Sequence, residues 1–416
     1  MISGTLDAIE KEKKYGAHNY SPMPVVLTSG KGVSVWDADG KHYYDFLSAY
    51  SAVNQGHCHP KIVEAMVAQA KTLTLTSRAF YNDKLGPAEE FVCNYFGYDK
   101  VLMMNSGAEA VETAIKLVRK WGYKKKGLAA GTAEVVAVDG NFHGRTTGII
   151  SFSTDSSSTD GFGPMMPGYH VIPYNDVAAL EKTLAGHPNI CGFLLEPIQG
   201  EAGVLVPDDG YLSAVHEVCK KYNVKLIIDE IQTGIGRTGK RLASDYDQVK
   251  ADILILGKAL SGGVIPVSAV LCDDEIMLCI QPGEHGSTFG GNPLAAVVTI
   301  ASLEVIDEEG LIENSFQLGQ LFRQRMRDLQ AKRPDLIKAV RGKGLLNAMD
   351  IIPGKKTGTA GDVCLALMEN GLLCKPTHQH TIRFSPPLVI TEEQINTCCD
   401  IIEKVITAIA VNEDRK

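Results

Sequence analysis

No stretch of this chain approaches the ~18 consecutive apolar residues that cross a bilayer, and the opening MISGTLDAIEKEKK has no apolar core of the kind a secretion signal carries. The expectation is a soluble protein of the cytoplasm, or of the mitochondrial matrix if a transit peptide has been removed. Clustered positive charge is missing too. Lys124–Lys126 is a single short run, read as a solvated helix end, and the net charge is −8. That balance argues against a nucleic-acid or anionic-membrane surface. The ten cysteines form no C-x-x-C pair, and most, such as Cys93, Cys191 and Cys364, sit in apolar contexts, as reduced thiols do. Adjacent Cys398 and Cys399 read as packing residues of a C-terminal helix. Internal repeats and long linkers are absent.

What is present is ordinary globular composition, 44% hydrophobic and 22% charged over 416 residues. A chain of this length exceeds the range in which one core keeps growing, so two unequal domains are expected. Near-continuous apolar runs at 135–140, 191–197, 224–230 and 251–257 alternate with helical periodicity, which predicts an α/β fold with a mainly parallel sheet covered on both faces. In that architecture ligands bind beyond the carboxyl ends of the strands. Before it, GKGVSVWDADGKHYYDF alternates about Asp39-Gly40 and reads as a β-hairpin. A long helical pattern begins near Leu294. RGKGLLNAMDII and HTIRFSPPL then read as strands of a smaller α+β domain closed by a helix at 391–412. The expected division is an N-terminal segment at 1–45, a large domain at 46–300 and a C-terminal small domain at 301–416. The Ser-rich DSSSTDGFGP at 155–164 reads as a loop.

Two strand ends carry complementary chemistry. In ILILGKALSGG, an apolar strand ends at Gly257-Lys258; in IIDEIQTGIGRTG, another ends at Asp229 and opens into a Gly-rich loop. Alone, such a lysine reads as solvated and such an aspartate as a helix cap. Together they are what pyridoxal 5′-phosphate requires: an amine for its aldehyde and a carboxylate that keeps its pyridine nitrogen protonated. Glu196 falls at a third strand end.

A cradle for such a cofactor is also legible. In NSGAEAVETAIKLVRK, small residues precede a helix whose Val111, Ala114, Ile115 and Val118 keep helical spacing. Unpaired N–H groups at a helix start, with the positive end of its dipole, bind an anion without any basic side chain, so Ser106, Gly107 and Ala108 read as a phosphate cup. Phe142, in GNFHGRT, could lie flat on a pyridine ring, and Arg145 could hold a carboxylate bidentately. His57 and His59, in QGHCHP, invite a metal reading, but no further ligands lie at a convincing spacing and Pro60 favours a helix start. No metal is expected.

These motifs carry a family resemblance. GKALSGG around Lys258, DEIQTGIGRTG and EHGSTFGGNP at 284–293 resemble the class III (subgroup II) aminotransferases of PLP fold type I, over essentially the whole chain. YGAHNY at 15–20, FLSAYSAVNQGHCHP at 46–60, EPIQGEAGV at 196–204 and TIRFSPPL at 381–388 are similar to those members that move the δ-amino group of L-ornithine to 2-oxoglutarate. The resemblance implies Lys258 as Schiff-base lysine and proton shuttle, and Asp229 as partner of the pyridine nitrogen. It gives Gln232 to the phenolic oxygen, Phe142 to the ring face, and Gly107 and Ala108 to the phosphate. Ser287 and Thr288 would reach the phosphate of a neighbouring subunit's cofactor, which makes the expected assembly a homodimer with shared sites. Tyr20 and Arg145 would hold the α end of ornithine, with Tyr50 shaping the pocket. Arg383 would bind the α-carboxylate of 2-oxoglutarate, and Glu201 would cover Arg383 while ornithine is bound. The pattern departs at His143, where relatives carry a bulkier aromatic. An arginine left uncovered would capture any α-carboxylate, including that of ornithine in the wrong orientation, so a mobile carboxylate gate has a physical reason.

Two other functions compete. One is an ω-aminotransferase of the same group acting on N-acetylornithine or 4-aminobutyrate, against which YGAHNY and Tyr50 argue. The other is a cofactor-binding protein without turnover, which predicts loss of Lys258, Asp229 or Arg383; all three are present.

Overall fold

The structure, a computed structural model, describes residues 3–354 and 358–409. The first three strands are short, β1 (Leu27–Lys31), β2 (Ser34–Asp37) and β3 (His42–Asp45), and β2 and β3 form the hairpin expected about Gly40. The central sheet follows: β4 (Lys100–Met104), β5 (Glu134–Val138), β6 (Tyr169–Ile172), β7 (Ile190–Leu195), β8 (Lys225–Asp229), β9 (Ile253–Leu256) and β10 (Ser268–Cys272). Their order is β4-β10-β9-β8-β7-β5-β6. The pairs among β5 to β9 are parallel and β10 is antiparallel to both neighbours. Every residue of β7, β9 and β10 is buried. A strand with helices on both faces has no solvent side, so its sequence is apolar throughout instead of alternating.

The last strands are β11 (Ile337–Lys343), β12 (Leu346–Ile351), β13 (Leu372–Leu373), β14 (Lys375–Thr377) and β15 (Thr381–Phe384). β11, β12, β15 and β14 make a second antiparallel sheet, whereas β13 pairs in parallel with β3. The two ends of the chain therefore share a sheet.

Several elements depart from the sequence expectation for local reasons. A helix, Ser3–Tyr15, precedes the hairpin. The helical pattern after Asn292 is two helices, Pro293–Glu308 and Leu311–Lys332, because Gly310 adopts φ +63° and breaks the run. The Asn292 side chain caps the first by accepting from Ala295 N. The Ser-rich loop holds one helical turn, Ser156–Thr159, capped by Asp155. The final helix is Glu392–Ala408, with Cys398 and Cys399 fully buried; the rest of its expected span beyond 409 lies outside the described residues. Lys126 is no solvated helix end. Its Nζ donates to the carbonyls of Ile190 and Tyr222, and burial lowers its pKa, because the chain turns inward there through the π-helical turn Gly122–Lys126. Pro60 starts the helix Pro60–Ala70 as expected, while His57 and His59 bind different carboxylates, Asp45 and Glu309.

Candidate active site

The carboxyl ends of β7, β8 and β9 deliver Glu196, Asp229 and Lys258 to one cavity of about 230 Å³, which Gly107, Ala108, Phe142, His143, Glu201 and Gln232 also line. Lys258 follows Gly257 with φ +44°, a left-handed conformation that costs a non-glycine residue about 1–3 kcal/mol and recurs at functional sites. Burial lowers its pKa, and the nearby negative charges of Glu201, Asp229 and Glu196 offset that only in part. An amine so placed is closer to its neutral, nucleophilic form.

Asp229 is pinned from both sides. Its Oδ1 accepts from Ile231 N at 3.0 Å and its Oδ2 from His143 Nδ1 at 2.7 Å. Burial alone would lower the His143 pKa; the bond and charge of Asp229, with the charge of Glu196, outweigh it and raise the pKa. Glu196 is likewise buried, and desolvation pushes it up to about 7 against the opposing charge of His143. Its Oε2 accepts from Phe142 N at 3.0 Å, which holds the Phe142 backbone at the cavity wall.

The helix Gly107–Trp121, whose first residues line the cavity, begins with a capping box. Ser106 Oγ accepts from Glu109 N, and Glu109 Oε2 accepts from Ser106 N at 2.9 Å. The Ser106 oxygen accepts in the cap and its O–H stays available to donate, while the backbone of Gly107 and Ala108, which line the cavity, adds anion-binding capacity at this helix start. A Cβ on Gly107 would stand 3.0 Å from Ile231 Cδ1, so a small residue keeps this approach open.

Glu201, which lines the cavity, is held in an ion pair with Arg383, which does not line it. Arg383, on β15, donates from Nη1 to Glu201 Oε1 at 2.6 Å and to Gly200 O at 3.3 Å. Gln232 Nε2 donates to the same Glu201 oxygen at 3.1 Å. Glu201 would have its pKa raised by burial, but the charges of Arg383 and Lys258 lower it below its usual value. Arg383 is only 2% exposed and Glu201 28%, so the carboxylate is the partner with room to move. The Tyr50 ring lies over the guanidinium at 5.0 Å, carried there by Ser48–Ser51, four consecutive residues with positive φ. Gly200 packs so tightly that a Cβ would fall 1.4 Å from Gln232 Oε1; this close approach gave no signal in the sequence.

Other expected site residues lie elsewhere in the single chain. Arg145 is exposed, its guanidinium 5.9 Å from the Phe142 ring, and does not line the cavity. Tyr20 is 69% exposed and lines a separate N-terminal concavity of about 830 Å³. Ser287 Oγ accepts from Asn105 Nδ2 at 2.8 Å within its own chain, and Thr288 is exposed.

Residues 15–406 match the family described as Aminotransferase class-III. The chain belongs to the class III aminotransferases. Members of this family use pyridoxal 5′-phosphate, and the cavity fits that group: it offers an amine, a buried carboxylate, an aromatic face and a helix start on separate walls. The chain is 60% identical over 399 residues to the mitochondrial ornithine aminotransferase of Drosophila melanogaster, covering 96% of this chain and 91% of the relative. The ornithine aminotransferase structure from Toxoplasma gondii superposes with a TM-score of 0.95 at 47% identity, covering 98% and 96% of the two chains. The acetylornithine aminotransferase structure from Elizabethkingia anophelis gives 0.89 at 56% identity, covering 97% and 99%. No described helix is long and apolar enough to cross a membrane.

Proposed function

We propose that the protein is an ornithine δ-aminotransferase, moving the δ-amino group of L-ornithine to 2-oxoglutarate and yielding L-glutamate and glutamate 5-semialdehyde, which cyclises to pyrroline-5-carboxylate. The observation that carries this reading is the Glu201–Arg383 pair at 2.6 Å beside Lys258. A site that takes a diamino acid and then a dicarboxylate needs its second carboxylate-binding arginine covered in the first half-reaction and open in the second.

When bound, pyridoxal 5′-phosphate supplies the electron sink for the carbanion at the δ-carbon. Lys258 Nζ, biased toward its neutral form, would take the proton from the δ-carbon and deliver it to the cofactor. Asp229, fixed by Ile231 N and His143, presents its negative charge to the pyridine nitrogen. Phe142 would face the ring, Gln232 would meet its phenolic oxygen, and the backbone of Gly107 and Ala108 would hold the phosphate. Arg145, exposed beside the Phe142 ring, would take the α-carboxylate of ornithine; Tyr20 is assigned to the α-amino group by family resemblance alone. Arg383 receives the 2-oxoglutarate carboxylate once Glu201 swings out. The working unit in this proposal is a homodimer in which Ser287 and Thr288 reach the neighbouring site. Exposed aromatics, Phe289 beside them and Phe80 and Tyr81 elsewhere, support such an interface. Ten free thiols support a reducing compartment, the cytoplasm or the mitochondrial matrix.

The acetylornithine aminotransferase likeness favours a second reading, with N-acetylornithine as donor. Parallel turnover of L-ornithine and N-acetyl-L-ornithine with 2-oxoglutarate separates them. The proposal expects pyrroline-5-carboxylate from ornithine at the higher kcat/KM, and a preference for the acetylated donor overturns it.

A further inference from the structure

Away from the catalytic cavity, one group of metal-ligating side chains converges among the described residues: Glu134, His170 and His187, whose ligand atoms all lie within 4.8 Å of one another. We propose that this cluster binds one divalent transition-metal ion, with Zn²⁺ the best match to its donors. Two imidazoles and one carboxylate form a three-ligand set that leaves a fourth tetrahedral position for water. Without thiolates it does not suit Cu(I), and with one carboxylate it has too few oxygens for Ca²⁺ or Mg²⁺.

The backbone prearranges the three ligands. β5 and β6 run parallel with Val136 opposite His170, and the two-residue period of a strand puts Glu134 on the same face as Val136 and His170. Glu134 Oε2 lies 3.0 Å from His170 Nε2. His187 ends the helix Val177–Gly186, and its ring stands 4.2 Å from that of His170 by centroids, tilted 46°. The segment carrying it is tied to the strand carrying Glu134, since Glu134 N donates to Asn189 O at 3.0 Å, and Ile190 N donates to His187 O at 3.2 Å. Ligands about 2.0–2.1 Å from a tetrahedral zinc stand about 3.3–3.4 Å apart, and these ligand atoms already lie within 4.8 Å of one another.

A surface ion pair explains less. Glu134 and His170 are about a quarter exposed, and such a pair contributes roughly 0–1 kcal/mol; it gives no reason for a second imidazole at 4.2 Å. A shared ion accounts for all three side chains, and the exposure of His187 gives it a path in. The cluster sits at the amino ends of β5 and the edge strand β6, while Asp229 and Lys258 lie at carboxyl ends. The six-residue β7 between those ends spans roughly 20 Å. The ion would therefore brace the sheet edge without touching the reaction.

Calorimetric titration of the metal-stripped holoenzyme with Zn²⁺ tests this. One ion per chain with a micromolar Kd is expected, together with a rise of a few degrees in melting temperature. His187→Ala should weaken binding at least about tenfold, with transamination unchanged as proof of folding, and Glu134→Gln should weaken it as well. Cys58→Ser should bind as the parent does, which separates this cluster from His57, Cys58 and His59. Wild-type protein that gives no heat at millimolar Zn²⁺, parental affinity in His187→Ala, or loss of the site in Cys58→Ser would each overturn the assignment.

Discussion

Glu201→Ala removes the one carboxylate that covers Arg383, and its effect can be sized from the site. In the parent, an incoming dicarboxylate must displace a 2.6 Å charge-assisted bond to a guanidinium that is 2% exposed. Such bonds are worth about 1.5–3 kcal/mol net. Without Glu201 that cost disappears, and Arg383 keeps only Gly200 O at 3.3 Å and Gln232 Oε1 at 3.5 Å. At 1.36 kcal/mol per tenfold, kcat/KM for the glutamate half-reaction should rise by about 10- to 150-fold. Ornithine should meanwhile lose part of its δ-selectivity, since its α-carboxylate can now reach Arg383. Arg383→Ala should do the reverse, crippling the 2-oxoglutarate half-reaction while ornithine keeps Arg145. Single-turnover stopped-flow absorbance with each substrate separates the two halves. Equal losses in both halves for both variants would mean a structural ion pair and refute the gate.

Lys258→Ala should abolish turnover yet retain the cofactor through the helix start at Gly107 and Ala108; substantial activity in homogeneous variant protein would contradict its role. Gly200→Ala puts a methyl where Gln232 Oε1 now lies, 1.4 Å from the Cβ position. It should displace Gln232 and shift half-reaction selectivity about tenfold or more, with little change in melting temperature, and an unaltered substrate preference would show that Gln232 does not support the gate. Glu196 is pushed up to about 7, above the usual carboxylate value, so the folded state keeps a proton that the unfolded chain releases. The contribution of Glu196 to the stability of the cofactor-free protein should then fall as pH rises from about 4.5 to about 7. His143, raised above its usual value, adds the same sign as pH climbs through its folded pKa. Glu196→Gln, whose amide oxygen can still accept from Phe142 N, should flatten this decline without erasing it. Urea midpoints across that range check it, and an unchanged slope would refute the assignment.

The strand ends were the most legible feature of the chain. Apolar runs ending in Asp229 and Lys258 place the two groups because a parallel sheet sends its carboxyl ends to one side. The helix at 107–121 was equally readable, since periodicity is local, whereas the Ser106–Glu109 capping box that opens it was not read. Pairings across long sequence separations left no local trace: His143 with Asp229, 86 residues apart, and Arg383 with Glu201, 182 apart. The second came only through family resemblance, and the first not at all. Lys126 was misread because its partners are carbonyls on β7 and beyond the helix Tyr211–Lys221, which no charge pattern reveals. Tyr20, Tyr50, Arg145, Ser287 and Thr288, like Arg383 behind Glu201, are not among the residues lining the single-chain cavity, and the roles proposed for them call on a second subunit or on substrate.

The central claim, that the amino group leaves from the δ-carbon, is tested most directly by isotope transfer. Purified holoenzyme is given 2-oxoglutarate with L-ornithine carrying ¹⁵N at either the δ or the α position, and the glutamate formed is analysed by mass spectrometry. The δ-label should pass to glutamate while the α-label stays in pyrroline-5-carboxylate; glutamate labelled from the α position would contradict the account.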